Sequence, residues 1–128
     1  MFRSIDRGDH WLRVPIDSLN EKGQTYCRCI REVPGDPKTI WVAAGPNFRS
    51  DLGTLFRSVD GGMTWERVDM GVQPKTTMFC IAFDERQPSR MYCATNGGEV
   101  WGSGDRGQSW SAHPLPKGAS QVYSLACG

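Results

Sequence analysis

One eight-residue pattern, Ser-x-Asp-x-Gly-x-x-Trp, occurs three times in this chain. Its fixed positions are Ser4, Asp6, Gly8 and Trp11; Ser58, Asp60, Gly62 and Trp65; and Ser103, Asp105, Gly107 and Trp110. Four fixed positions in three copies within 128 residues require a repeated supersecondary unit. Each copy follows an apolar or aromatic step, Met1-Phe2, Leu55-Phe56 or Val100-Trp101. The first two precede Leu12-Arg13-Val14 and Glu66-Arg67-Val68. The pattern therefore reads as the turn of a hairpin between two short strands. The chemistry suits that place. Asp accepts backbone N–H bonds just ahead of it, Ser adds a second local bond, and Gly supplies a positive φ. Trp opens the next strand with a large apolar face.

The residues between copies repeat as well. Thr25-Tyr26-Cys27-Arg28-Cys29-Ile30 and Thr77-Met78-Phe79-Cys80-Ile81-Ala82 read as matching first strands, and Val122-Tyr123-Ser124-Leu125-Ala126 starts a third. Pro-marked turns at 34–37 and 85–88 lead to second strands, Ile40-Trp41-Val42-Ala43 and Met91-Tyr92-Cys93-Ala94. Four short strands thus make one unit. The copies lie 54 residues apart (4 to 58) and 45 apart (58 to 103), and most of the difference falls in the loop 45–53. Variation confined to a loop on a constant strand frame is what repeat architectures show. Fifteen Gly and eight Pro fit many strands and tight turns, and no stretch keeps helical apolar spacing.

Four-stranded units at about 45 residues indicate propeller blades, so the fold class is all-β. The three motif copies resemble the BNR or Asp-box repeat β-propellers, a group that includes sialidases, xyloglucan-type glucanases, the sortilin ectodomain and photosystem assembly factors. His10 departs from the hydroxyl residues Thr64 and Ser109 at the same position, which predicts one lost contact in the first turn. The expected organisation is a single partial propeller over 1–128. Residues 1–14 supply the last two strands of a blade, 20–70 and 72–115 full blades, and 120–128 the first strand of another. A ring of six to eight blades needs roughly 270 to 360 residues at about 45 per blade. The expected partners are therefore the missing blades of a longer protein or further copies of the chain, with a protein or glycan as ligand.

Formal net charge is +1 with scattered basic residues, which disfavours nucleic acid and membrane surfaces as partners. Five cysteines, Cys27, Cys29, Cys80, Cys93 and Cys127, are an odd number on strand-like segments and read as small buried residues. With no signal-peptide pattern in this chain, they lean toward a reducing, cytoplasmic compartment. Cys27 and Cys29 would share one strand face, but no second pair stands at metal-ligand spacing, so neither metal nor cofactor is expected.

Asp6, Asp60 and Asp105 read as turn residues rather than paired acid and base carboxylates. Sialidases of the resembled group grip a carboxylate with three arginines. Here, however, Arg3 and Arg57 share a repeat position, as do Arg13 and Arg67, and the Arg-Ile-Pro step is absent. No catalytic residue is assigned. A ligand surface is expected on the face opposite the Asp-box turns, in the insert carrying Asn47, Phe48, Arg49 and Asp51, a mixture suited to sugars. The bland alternative is a solvated loop with Phe48 on its own blade. The leading expectation is a non-catalytic propeller segment that scaffolds protein or glycan binding. The alternative is a segment of a BNR-repeat glycoside hydrolase or sialidase-like enzyme.

Overall fold

The computed structural model describes residues 1–16 and 23–127. Residues 20–22 and 128, which the sequence reading assigns to blades, lie outside that set. Ten strands and no helix occur among the described residues. A two-stranded hairpin pairs β1 (Phe2–Arg3) with β2 (Leu12–Arg13). A first four-stranded meander runs β3 (Tyr26–Val33), β4 (Asp36–Gly45), β5 (Thr54–Ser58), β6 (Glu66–Arg67). A second runs β7 (Met78–Phe83), β8 (Met91–Thr95), β9 (Val100–Ser103), β10 (Ser111–Ala112). All neighbours are antiparallel. The chain is all-β, and its two meanders are propeller blades.

The blades stack face on face because each carries apolar side chains on both sides of its sheet. Trp41, Ala43 and Leu55 of the first blade meet Ile81, Phe83, Met91, Cys93 and Trp101 of the second in the central cluster. Val42, Ala44 and Phe56, on the opposite side of the first blade, pack with Val14 and Ile16 beside the β1–β2 hairpin. On the far side of the second blade, Phe79, Cys80 and Ala94 pack with Val122. Residues 119–127 form no ladder. Val122, where a further strand is expected, is held against the second blade by this packing.

Register sharpens the match between blades. Ser58 lies opposite Ile40 and Ser103 opposite Met91, so the two second strands superpose as the sequence pairs them. In the first strands, Cys29 lies opposite Ala43 and Cys80 opposite Ala94. Cys29 therefore corresponds to Cys80, and Thr25 to Thr76 rather than Thr77. Adjacent threonines make either alignment plausible in sequence, and only the ladder chooses. Both strands break register at the residue before that cysteine, at Arg28 and at Phe79. The break corrects a second expectation. Cys27 and Cys29 face the consecutive residues Ala44 and Ala43, so they lie on opposite sides of the sheet. Cys80 and Cys93 are buried as expected, but Cys27 is exposed and Cys29 and Cys127 are half-buried.

Candidate functional site

The blades have two dissimilar ends. At one end the β5–β6 and β9–β10 hairpins close through the Asp-box turns. In every copy the Ser Oγ donates to the Asp Oδ1 and accepts the N–H of the box glycine at 2.8 Å. Asp60 Oδ1 accepts from the Met63 and Thr64 amides, and Asp105 Oδ1 from the Gln108 and Ser109 amides. The second carboxylate oxygen takes the Thr64 or Ser109 hydroxyl at 2.5 Å. His10 does not lose this contact: its Nδ1 lies 2.6 Å from Asp6 Oδ2 and its amide donates to Oδ1. These bonds hold the carboxylates ionised. The Ser109 hydroxyl and amide bring Asp105 down to about 2, and the Thr64 hydroxyl and amide lower Asp60. Asp6 is lowered chiefly by the His10 amide.

Two successive residues of each turn are left-handed, not the glycine alone. Arg7, Gly61 and Arg106, at φ 62°, 70° and 61°, precede Gly8, Gly62 and Gly107 at 97°, 84° and 81°. Each box tryptophan lies back over its own turn, and the indole N–H groups of Trp65 and Trp110 donate to the Gly62 and Gly107 carbonyls. Trp41 of the first blade reaches across to the same place. A Cβ on Gly107 would stand 2.4 Å from its ring, and Trp41 and Trp110 meet edge to face at 6.4 Å. Arg57 lies over Trp41 and pairs with Glu66, while Arg3 donates to the Gly61 carbonyl. The repeated arginines thus tie strands and turns together.

At the other end, the 45–53 loop is held by the following blade. Thr77, fully buried, donates its hydroxyl to the Asn47 carbonyl at 2.7 Å and accepts the Ser50 amide at 3.1 Å. The Gly53 amide donates to Pro74 O, and the Gly97 amide to Thr76 Oγ1. A Cβ on Gly53 would meet Thr76 O at 2.3 Å, so that approach needs glycine. Asn47 turns its side-chain oxygen to the Arg49 amide. Phe48, 44% exposed, stands 6.1 Å from Tyr26 on its own blade and 5.4 Å from Phe79 on the next. It bridges the blades rather than resting on one. Arg49 lies 5.6 Å over the Phe48 ring, and Asp51 is exposed on the same loop.

Four rim residues escaped the sequence reading. The bulged Arg28 lies over Phe79, the bulged residue of the next first strand, at 5.1 Å. Phe79 in turn meets Tyr123 edge to face at 6.3 Å. Together with Tyr26 and Phe48 they form a row of rings and guanidinium groups across two blades and the segment after them. A bulge re-aims a side chain, and bulges gather near functional sites. Their only sequence signal is a broken alternation in a short apolar run. Phe79 is buried beneath the row, so the surface open to a ligand is that of Phe48 and Tyr123 flanked by hydrogen-bond donors, an apolar platform with polar orientation that suits saccharides.

The remaining reactive groups serve structure. Both histidines have partners: His10 engages Asp6, and His113 meets Tyr92 edge to face at 5.5 Å. Glu99 is bound to the Lys75 amide and the Thr95 hydroxyl. Burial pushes the Cys80 thiol up to about 11 and raises Cys93 further. Among the described residues no group of three His, Cys, Asp or Glu could hold a metal ion.

The fold defines a propeller segment. No family model matches the chain. It is 30% identical over 101 residues to the xyloglucanase Xgh74A of Acetivibrio thermocellus strain ATCC 27405, covering 70% of this chain and 12% of that protein. A second Acetivibrio thermocellus Xgh74A sequence is 29% identical over the same length. Among solved structures, the Niastella koreensis GH74 enzyme aligns with 94% of this chain and 19% of its own, at TM-score 0.67 and 18% identity. An ancestral GH74 enzyme aligns with 63% of this chain and 12% of its own, at TM-score 0.53 and 23% identity. The chain thus spans about an eighth of the length of the curated relatives it matches.

Proposed function

We propose that this chain is a blade segment of a glycoside hydrolase β-propeller acting on a β-glucan of the xyloglucan class, and that its part is to bind the polysaccharide along the rim. The observation that carries the reading is the 30% identity over 101 residues to a xyloglucanase. A non-catalytic scaffold would share the same blades, and that identity favours the hydrolase. The box carboxylates are spent on turn hydrogen bonds, so they are poor candidates for acid and base. The rim instead offers Tyr26, Phe48, Arg28 and Arg49 to a sugar chain. The test is retardation of the purified chain in native gels containing xyloglucan, with release of reducing ends measured in parallel. Retardation that Phe48→Ala weakens, without hydrolysis, is the expected result. Equal mobility in xyloglucan, other β-glucans and plain gel would refute the reading.

A further inference from the structure

Two guanidinium groups at the rim have no carboxylate partner among the described residues. Arg57 is paired with Glu66 and Arg3 with a backbone carbonyl, whereas Arg28 and Arg49 form no ion pair among the described residues. Each instead lies over a ring, Arg28 on Phe79 and Arg49 on Phe48, and those rings are 5.4 Å apart. Asp51, two residues past Arg49, already has a partner of its own. A guanidinium held over a ring is oriented before any ligand arrives, while its N–H edge stays available to solvent. That planar fork matches a carboxylate in a two-point hydrogen bond. Phe48, partly exposed between them, offers apolar surface for the C–H face of a sugar. The hydroxyls of a neutral sugar accept from the same N–H groups, but a carboxylate also answers their charge.

We infer that the rim selects an acidic sugar residue, with Arg28 and Arg49 binding its carboxylate and Phe48 its ring. The inference rests on the glycan-binding part of the reading above and adds an acidic sugar to the neutral glucan named there. Net charge is only +1, so bulk attraction of polyanions is not the source of the preference.

The test measures binding of the chain to immobilised polygalacturonate, xyloglucan and dextran sulfate by interferometry, at about 0.05 and about 0.5 M NaCl. The expected result at low salt is about ten-fold tighter binding to polygalacturonate than to xyloglucan, a difference on the scale of one charge-assisted contact. Added salt should erase it. The double variant Arg28→Gln, Arg49→Gln should keep its melting temperature and lose the preference, its affinity for polygalacturonate falling about ten-fold further than its affinity for xyloglucan. Phe48→Ala should weaken both. Equal or tighter binding to xyloglucan overturns this inference and leaves the glycan-binding reading standing. Equal binding to dextran sulfate also overturns it, since that is charge without carboxylate geometry. Binding to none of the three overturns both.

Discussion

The two ends of the blades solve the same problem, closing a loop between antiparallel strands, in opposite ways. At the Asp-box end the Ser and Asp side chains bond amides within a span of four residues, and the Gly61 and Arg106 amides reach only as far as the Lys38 and Ser89 carbonyls of their own blades. The rim end borrows from its neighbour. The 45–53 loop is held by Thr77, and Phe48 rests partly on Phe79, all from the following blade. A turn whose side-chain bonds are local repeats because its own Ser, Asp and Gly supply them. A borrowed one is free to vary, and variable loops on a rigid frame are where binding resides.

The largest expected effect falls where the box end breaks its own rule, at Trp41. Its ring is buried in the neighbouring blade's turn. Trp41→Ala should cost about 3–5 kcal/mol in urea unfolding. Trp65, only half-buried, should cost visibly less when truncated. Gly107→Ala adds strain at φ 81° to a clash with Trp41, about 3 kcal/mol together. Gly8→Ala has the strain without a close neighbour and should cost about 1–2 kcal/mol. Equal costs would mean that the cross-blade contact adds nothing.

Thr77→Val tests the borrowed end. It leaves the buried Ser50 amide without its acceptor, a loss of about 1–3 kcal/mol, and should accelerate hydrogen exchange across 47–50. Ser103→Ala should cost a similar amount but leave exchange in that loop unchanged, because its bonds end within its own turn. Loosening of the 45–53 loop by Ser103→Ala would break the proposed independence of the two ends.

The smallest effect is electrostatic. Asp105 and Asp60 titrate lower in the fold than the ordinary 3.8, so they bind fewer protons folded than unfolded. Their contribution is complete above that value and is lost as pH falls through the folded values, about 2 for Asp105. Melting temperature should therefore hold from about pH 7 to about pH 5 and fall below about pH 4, less steeply in Asp105→Asn. An unchanged slope in that variant would remove the Asp-box from the acid response.

The architecture was legible because three motif copies sit at constant positions in a repeating strand frame, and blade packing follows from that frame. What sequence left hidden shares one cause. The bulges at Arg28 and Phe79 break the alternation by which sidedness is read, so Cys27 and Cys29 looked cofacial and the rim row went unseen. His10 was misjudged because a ring nitrogen can take the place of a hydroxyl, which residue class does not reveal. Asn47, Phe48, Arg49 and Asp51 stood out by their loop, whereas Arg28 and Tyr123 join the rim only through the stacking of segments distant in sequence.

The local hydrogen bonding of the Asp-box makes it portable with its blade. The Ser and Asp bonds close within eight residues, and the Gly61 and Arg106 amides reach the Lys38 and Ser89 carbonyls of the same blade, so duplicating a blade carries these bonds with it. The contact of Trp41 with Gly107 cannot travel that way, since it joins two copies and fixes which blade follows which. A propeller built from such units can multiply its turns by copying, but it must invent the order of its blades one aromatic contact at a time.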